Sequence, residues 1–146
     1  MASKVSRIKI TKSPVLTISR IALHADQLVY IAQANKALRY PGGTSAIAYI
    51  GMTKSGVARI AASAAWQARA TLLRRGIRYL DFFVVTAQAK PRVNIPRKLE
   101  RALLLRFKER FGSVPIGNKQ GNGMRWHDEL AFFTHAKLDK VLDAYS

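Results

Sequence analysis

The sequence predicts a small α+β protein in which a mixed, largely antiparallel three-stranded sheet is flanked by helices. Three observations predict this fold class. Two runs of strand-forming residues are joined by a connection of hairpin length, an apolar stripe of helical period follows, and a further strand-like run precedes two more helical segments. Adjacent strands joined in this way favour a small α/β sandwich over a doubly wound sheet. The length of 146 residues suits a single domain spanning 1–146.

Extended segments dominate the N-terminal part of the chain. Residues 4–10 and 15–19 predict an additional extended segment ahead of the domain core. Residues 27–34, QLVYIAQA, are apolar in their middle and rich in strand formers, so they predict the first strand. The stretch 35–45 contains Pro-Gly-Gly and predicts a turn or hairpin loop, and residues 46–51 then predict a short buried strand.

A helix is expected after Gly51, because apolar residues then recur at spacings of three and four. Ser55 is a suitable N-cap, and Gly76 is a suitable end. The apolar positions of this helix are Val57, Ile60, Ala61, Ala64, Ala65, Ala68 and Leu72.

The C-terminal half predicts one strand and two helices. Residues 78–87, RYLDFFVVTA, give the clearest strand signal in the chain. Pro96 lies in the first turn of a helix that runs through Phe111 and ends at Gly112. A loop rich in glycine and asparagine follows, and the C-terminal helix has Thr134 at its expected N-cap.

Net charge restricts the classes of partner. The chain has 25 lysines and arginines against eight acidic residues, which gives a formal charge of +17. Such a charge attracts polyanions, and basic side chains on phosphates gain affinity by releasing counterions, so nucleic acid is the expected partner. No apolar run approaches the length of a membrane span, so no membrane partner is expected. The absence of cysteine excludes disulfides and thiolate metal sites and suits a cytoplasmic protein.

An ordered set of residues adds a specific chemistry to this charge. A strand tyrosine, a Tyr-Ile-Gly tripeptide, an arginine eight residues after its glycine, a helical glutamate and a later asparagine follow one another along the chain. They are Tyr30, Tyr49, Gly51, Arg59, Glu100 and Asn118. With this set the chain resembles the GIY-YIG nuclease family over residues 27–119, which would form the nuclease core.

The resemblance implies a small mixed sheet flanked by helices and an endonuclease that hydrolyses phosphodiester bonds in DNA with a divalent metal, Mg²⁺ or Mn²⁺. RNA is not excluded as a substrate. Matched residue by residue, the resemblance implies that the catalytic residues are Tyr30, Tyr49, Arg59, Glu100 and Asn118. It also implies that Glu100 binds the metal.

The residue types fit this chemistry. A single Mg²⁺ can be held by one carboxylate together with substrate phosphate and waters, so an acid-poor chain needs to supply only one glutamate. The forked, permanently charged guanidinium of Arg59 suits a phosphate that gains charge in the transition state. A tyrosine hydroxyl can position or deprotonate the attacking water when nearby cations lower its pKa. The asparagine amide can hold neighbouring groups in register.

The chain departs from the family pattern in three ways. Leu-Val-Tyr stands where Gly-Ile-Tyr is usual, and the gap between Tyr30 and Tyr49 is longer than in compact members, which predicts an inserted hairpin loop. Ser63 stands one helical turn after Arg59, where the family often has histidine or tyrosine. The proton relay at that position therefore has no assigned residue, although Lys54 could supply positive charge nearby.

Other positions have an expected role in binding or a competing assignment. Glu109 competes with Glu100 as the metal ligand, but Glu100 has the family's order relative to the downstream loop. The Trp66 side chain is expected to pack in the domain rather than to stack on a base. The expected nucleic-acid contacts are Gly51, Lys54, Arg69, Arg74, Arg75 and Lys119.

Two further functions stay open beside the nuclease. One is a basic nucleic-acid-binding module, either a GIY-YIG-like domain without activity or an unrelated fold, acting within a larger complex. The other is a structural subunit of a larger nuclease or mobile-element complex. Because the chain has little apparatus for reading bases, recognition of a specific site would need a homodimer or a partner specificity subunit.

Overall fold

The computed structural model describes residues 6–10, 12, 14, 27–67 and 76–146. Over these residues the protein is an α+β fold with one three-stranded sheet and three α-helices. The strands are β1 (Leu28–Tyr40), β2 (Gly43–Thr53) and β3 (Leu80–Val85). β1 is central and pairs antiparallel with both neighbours, so β2 and β3 run in the same direction on either side of it.

The β1–β2 hairpin is longer and tighter than the sequence predicts. The hairpin turn expected within 35–45 is confirmed at residues 41–42, but its predicted extent is wrong, because β1 continues to Tyr40 and pairs with β2 from Gly43 onwards. Leu38 and Tyr40 are buried while the residues beside them are exposed, and the Tyr40 ring packs edge-on against Phe107 at 5.0 Å between centroids. The additional residues between the two site tyrosines are therefore paired strand, and the expected inserted loop is a hairpin extension.

The first helix, α1 (Gly56–Gln67), begins directly after Ser55, as expected. Its predicted continuation, with the apolar positions Ala68 and Leu72, falls in 68–75 and lies outside the described residues. The strand predicted over 78–87 is shorter than expected, because only Leu80–Val85 finds partners on β1. The expected N-terminal extended segment lies largely outside the described residues; residues 6–10 have no regular secondary structure.

The two remaining helices are α2 (Ile95–Phe111) and α3 (His135–Tyr145); α2 begins and ends, and α3 begins, where the sequence predicts. Asn94 Oδ1 accepts a hydrogen bond from the Arg97 N–H at the start of α2. Gly112 has φ +81°, the left-handed conformation that glycine adopts at a helix end. Thr134 Oγ1 accepts the Lys137 N–H and caps α3. These predicted boundaries are confirmed.

The two faces of the sheet carry different amounts of core. The main core lies on the face covered by α2 and α3 and includes Ile31, Ile50, Leu103, Phe107 and Leu142. A smaller cluster lies on the other face and consists of Leu28, Tyr30 and Ile60, with Tyr49, Phe82 and Val84 partly buried against them. Among the described helices, none has the length and apolar character needed to cross a membrane.

Candidate active site

The two predicted tyrosines lie side by side on the smaller face of the sheet. Tyr30 of β1 is the cross-strand partner of Gly51, and the Tyr30 and Tyr49 ring centroids are 5.7 Å apart. A Cβ atom at position 51 would overlap the Tyr49 ring and lie 2.9 Å from the Tyr30 hydroxyl oxygen. Glycine at the end of Tyr-Ile-Gly is therefore what allows both rings to cover this part of β2.

Helix α1 reaches the same place through Ser63. The Tyr30 hydroxyl donates a hydrogen bond to Ser63 Oγ over 2.9 Å, and Tyr30 is only 2% exposed. The residue that departs from the family pattern thus fixes the orientation of the buried Tyr30 hydroxyl. A serine hydroxyl can pass this hydrogen bond on, but it offers neither the charge nor the basicity of a histidine. Sequence alone gave Ser63 no role, because this contact depends on how α1 packs on β1.

Glu100 comes from α2 on the opposite side of β2. Its side chain is half-buried, and burial raises the pKa of Glu100 above its ordinary value. Three interactions oppose this rise and lower the pKa of Glu100: the charge of Arg97, a hydrogen bond from the Met52 backbone N–H and the charge of Arg101. Because Met52 directly follows Gly51, the carboxylate lies at the end of the Tyr-Ile-Gly segment.

Tyr49 connects these groups electrostatically. Burial, followed by the Tyr30 hydroxyl and the Glu100 carboxylate, raises the pKa of Tyr49 well above its ordinary value, and the charge of Arg59 lowers it. Arg59 itself is exposed on α1. Tyr30, Arg59 and Glu100 therefore each lie within electrostatic range of Tyr49. In this environment the Tyr49 hydroxyl remains protonated at neutral pH and acts as a hydrogen-bond donor.

Asn118 is close to the same segment but faces the backbone. Its Oδ1 accepts the Ile50 N–H over 3.0 Å, and its Nδ2 donates to the Ile50 carbonyl over 2.8 Å. The preceding residue, Gly117, donates its N–H to the Ala48 carbonyl over 2.7 Å. Asn118 therefore pairs with the outer edge of β2 as a strand residue would. This geometry makes it a positioning residue for Tyr49 and Gly51.

Glu109, the competing metal ligand, has different partners. Its Oε1 accepts Trp126 Nε1 over 2.6 Å, and its Oε2 accepts Arg106 Nη1 over 3.0 Å. Although burial opposes it, these hydrogen bonds from Trp126 and Arg106 hold the pKa of Glu109 below its ordinary value. Both carboxylate oxygens of Glu109 thus accept hydrogen bonds within the protein, so Glu100 remains the candidate metal ligand beside the tyrosines.

The donor set fits a weakly held divalent metal and does not fit a protein-enclosed one. Within the described ranges, no group of three His, Cys, Asp or Glu side chains could hold a metal ion. Among the described residues, Glu100 is the carboxylate at the site. Mg²⁺ and Mn²⁺ tolerate such a site when substrate phosphates and water complete their shell.

Two concavities formed by described residues, of about 280 and 390 Å³, lie away from the site, and neither is lined by the tyrosines, Arg59 or Glu100. The smaller lies beside Glu109 and Trp126, and the larger lies between the end of β3 and α3.

The predicted nucleic-acid contacts divide into three groups. Gly51 is buried beneath the Tyr30 and Tyr49 rings. Lys54 and Lys119 are exposed at the ends of segments that also carry site residues. Arg69, Arg74 and Arg75 lie outside the described residues, as does the side chain of Trp66.

Comparison with known proteins identifies no relative. No protein-family model matches this chain, and neither do curated proteins nor solved structures.

Proposed function

We propose that this protein is a divalent-metal-dependent endonuclease of the GIY-YIG type that hydrolyses phosphodiester bonds in DNA. The observation that carries the proposal is the meeting of a tyrosine pair, an arginine and a single carboxylate, which come from β1, β2, α1 and α2. The strongly positive chain supplies the attraction for a polyanion.

Each group has a distinct task in this proposal. Arg59 neutralises charge that builds on the non-bridging phosphate oxygens as the bond to phosphorus breaks. Glu100 holds Mg²⁺ or Mn²⁺, which would supply a Lewis acid for the phosphate and its leaving oxygen. The protonated Tyr49 hydroxyl donates to a phosphate oxygen or orients the attacking water. Tyr30, held by Ser63, keeps the Tyr49 ring in place, while Asn118 fixes the backbone beneath it.

A plasmid-nicking assay tests the proposal directly. Supercoiled DNA and a structured RNA are incubated with wild type, Arg59→Gln and Glu100→Gln in the presence of Mg²⁺, Mn²⁺ or EDTA. Arg39→Gln is the matched control, because Arg39 is exposed and pairs with Thr44 near the hairpin turn, at the far end of the hairpin from Gly51. Metal-dependent nicking that is lost in the two site variants and kept in the control would support the nuclease. Equal nicking in all four proteins would refute it.

A second function, nucleic-acid binding without cleavage, is favoured by one observation. Ser63 accepts the Tyr30 hydrogen bond where a basic group would be needed to remove a proton, and the Tyr49 environment keeps its hydroxyl protonated. If this function is correct, the wild type binds DNA and nicks it with neither metal. Ser63→His would then be the first variant expected to gain activity.

Recognition of a particular site would need a second copy or a partner subunit in either case. Size-exclusion chromatography with and without a DNA duplex would show whether the chain itself provides the second copy.

A further inference from the structure

Helix α2 contains four arginines, and three of them have acidic partners. Arg101 Nε lies 2.7 Å from Glu129 Oε1, Arg106 binds Asp139 and Glu109, and Arg110 binds Asp139 and Asp143. The fourth, Arg97, is exposed in the first turn of the helix. Within the described part of the chain, its side chain forms no salt bridge.

Arg97 lies next to the candidate metal ligand. It precedes Glu100 by three residues, so the two side chains leave the same face of α2. Its charge acts on the Glu100 carboxylate, and no other cation acts on it more strongly. Arg101 also acts on Glu100, but its guanidinium is held by Glu129 and by the Arg125 carbonyl. Among the described arginines of α2, Arg97 is therefore the one beside Glu100 whose guanidinium has no salt bridge and can bind a ligand.

Arg59 and Arg97 reach the site from different elements. Arg59 lies on α1, which packs through Ile60 on the face of the sheet that carries Tyr30 and Tyr49, whereas Arg97 lies on α2, which covers the opposite face. Both arginine side chains are exposed, and Glu100 follows Arg97 by three residues on α2. A nucleic-acid strand carries one phosphate per nucleotide, so a strand whose cleaved phosphate lies between Arg59 and Glu100 can place a neighbouring phosphate beside Arg97.

We propose that Arg97 forms a second phosphate subsite, which binds the phosphate adjacent to the one that is cleaved. The inference rests on the proposed nuclease function and extends it to the substrate. The substrate is therefore a polynucleotide with at least two consecutive phosphates. An isolated phosphodiester has no second phosphate for Arg97 to bind.

Two substrates separate this role from catalysis. Bis(p-nitrophenyl) phosphate has one diester and no flanking phosphate. In a 20-base-pair DNA duplex, the diester that is cleaved has neighbouring phosphates. Arg97→Gln should lower kcat/KM on the duplex about tenfold, mainly through KM, and lower hydrolysis of the small diester by a much smaller factor. Arg97→Lys should recover part of the loss. An equal loss on both substrates, or no loss on either, would overturn the subsite.

A binding measurement keeps the inference testable if the protein does not cleave. The affinity for the labelled duplex is measured by fluorescence anisotropy in EDTA over a range of salt concentrations. Removal of one phosphate contact should reduce the slope of log K against log[salt] by about 1. Arg97→Gln should show this reduction, and Arg39→Gln should not. Equal slopes for wild type and Arg97→Gln would overturn the subsite, whereas a reduced slope without cleavage would leave the subsite standing and refute only the nuclease.

Discussion

Acidic residues on the α2–α3 side of the protein are paired with basic residues, whereas Glu100 at the tyrosine site is not. On the α2–α3 side, Glu109, Asp128, Glu129, Asp139 and Asp143 each form a salt bridge with a lysine or arginine. At the tyrosine site, Glu100, Arg59 and Arg97 form no salt bridge within the described part of the chain. The first arrangement connects α2 to α3 and to the segment that precedes α3, and the second leaves charges available for a ligand.

The carboxyl pKa values show the same contrast. A hydrogen bond from Arg106 holds the pKa of Asp139 below its ordinary value, and the Arg101 hydrogen bond does the same for Glu129 against the effect of burial. At Glu100, burial outweighs its cationic neighbours and raises the pKa. Ionisation therefore stabilises the fold on the helical side and costs stability at the site, which is the pattern expected of groups kept for binding.

The largest expected effect is on cleavage. Glu100→Gln should reduce metal-dependent nicking at least about 100-fold, because it removes the proposed metal-binding carboxylate. Its unfolding free energy at pH 7 should equal or exceed that of wild type, since a half-buried charge is replaced by a neutral group of the same shape. Nicking assays and urea denaturation on the same preparation check both parts. A variant that loses activity only by unfolding would contradict the contrast between the two sides.

The helical side should respond in the opposite way. Glu129 is only 1% exposed, and Glu129→Gln leaves Arg101 without its carboxylate partner. The free energy of unfolding should therefore fall by about 2–3 kcal/mol. Cleavage per folded molecule should be retained. Asp143→Asn is the matched control, because it removes a solvent-exposed pair and should change stability by less than about 0.5 kcal/mol. Equal losses from both substitutions in urea denaturation would contradict the prediction.

A smaller effect is expected where the site meets the sheet. Gly51→Ala forces a methyl group against both tyrosine rings and should destabilise the fold by about 1–3 kcal/mol while lowering activity. At Gly123 a Cβ atom would meet no other atom within 4 Å, so Gly123→Ala should leave Tm and activity near wild type. Thermal unfolding followed by circular dichroism would compare the two, and similar Tm losses would count against the close packing at Gly51.

The smallest effect concerns pH and should have opposite signs on the two sides. The pKa of Glu100 is raised above 4.5 in the folded state. Wild type therefore loses stability as pH rises from 4.5 through the folded-state pKa, because ionisation is then less favourable in the folded protein than in the unfolded chain. The stability advantage of Glu100→Gln over wild type should therefore grow from pH 4 to 7.

Asp139 behaves inversely, because its folded-state pKa lies below 3.8. Its contribution is complete above that value and is lost as pH falls through the folded-state pKa. Asp139→Asn should therefore be less stable than wild type at pH 5 and approach it in acid. Urea denaturation across pH 2–7 would measure both differences, and curves of the same sign would contradict the opposite roles of the two carboxyls.

Local chemistry explains which parts of the fold were predictable. The ends of α2 and α3 are fixed by Pro96, Gly112 and Thr134, whose effects act within one helical turn. The hairpin was predicted too short because Leu38 and Tyr40 are held in β1 by burial against distant α2, which overrides the turn-like composition around them.

The site shows the same division. Tyr30, Tyr49, Arg59 and Glu100 were indicated by order and spacing, which needs no knowledge of packing. The roles of Ser63 and Arg97 arise from tertiary neighbours, namely the Tyr30 hydroxyl and the absence of a salt bridge beside Glu100. One signal was present in the sequence: Arg97 precedes the candidate ligand by three residues on a predicted helix.

The outer edge of β2 has a consequence for self-association. An edge strand normally offers its free N–H and carbonyl groups to any passing strand. Here Gly117 and Asn118 already occupy those of Ala48 and Ile50, and Glu100 faces the N–H of Met52. A strand from another molecule could pair there only by displacing the same residues that arrange the site. The contacts that prepare this surface for a substrate thus also protect it against aggregation.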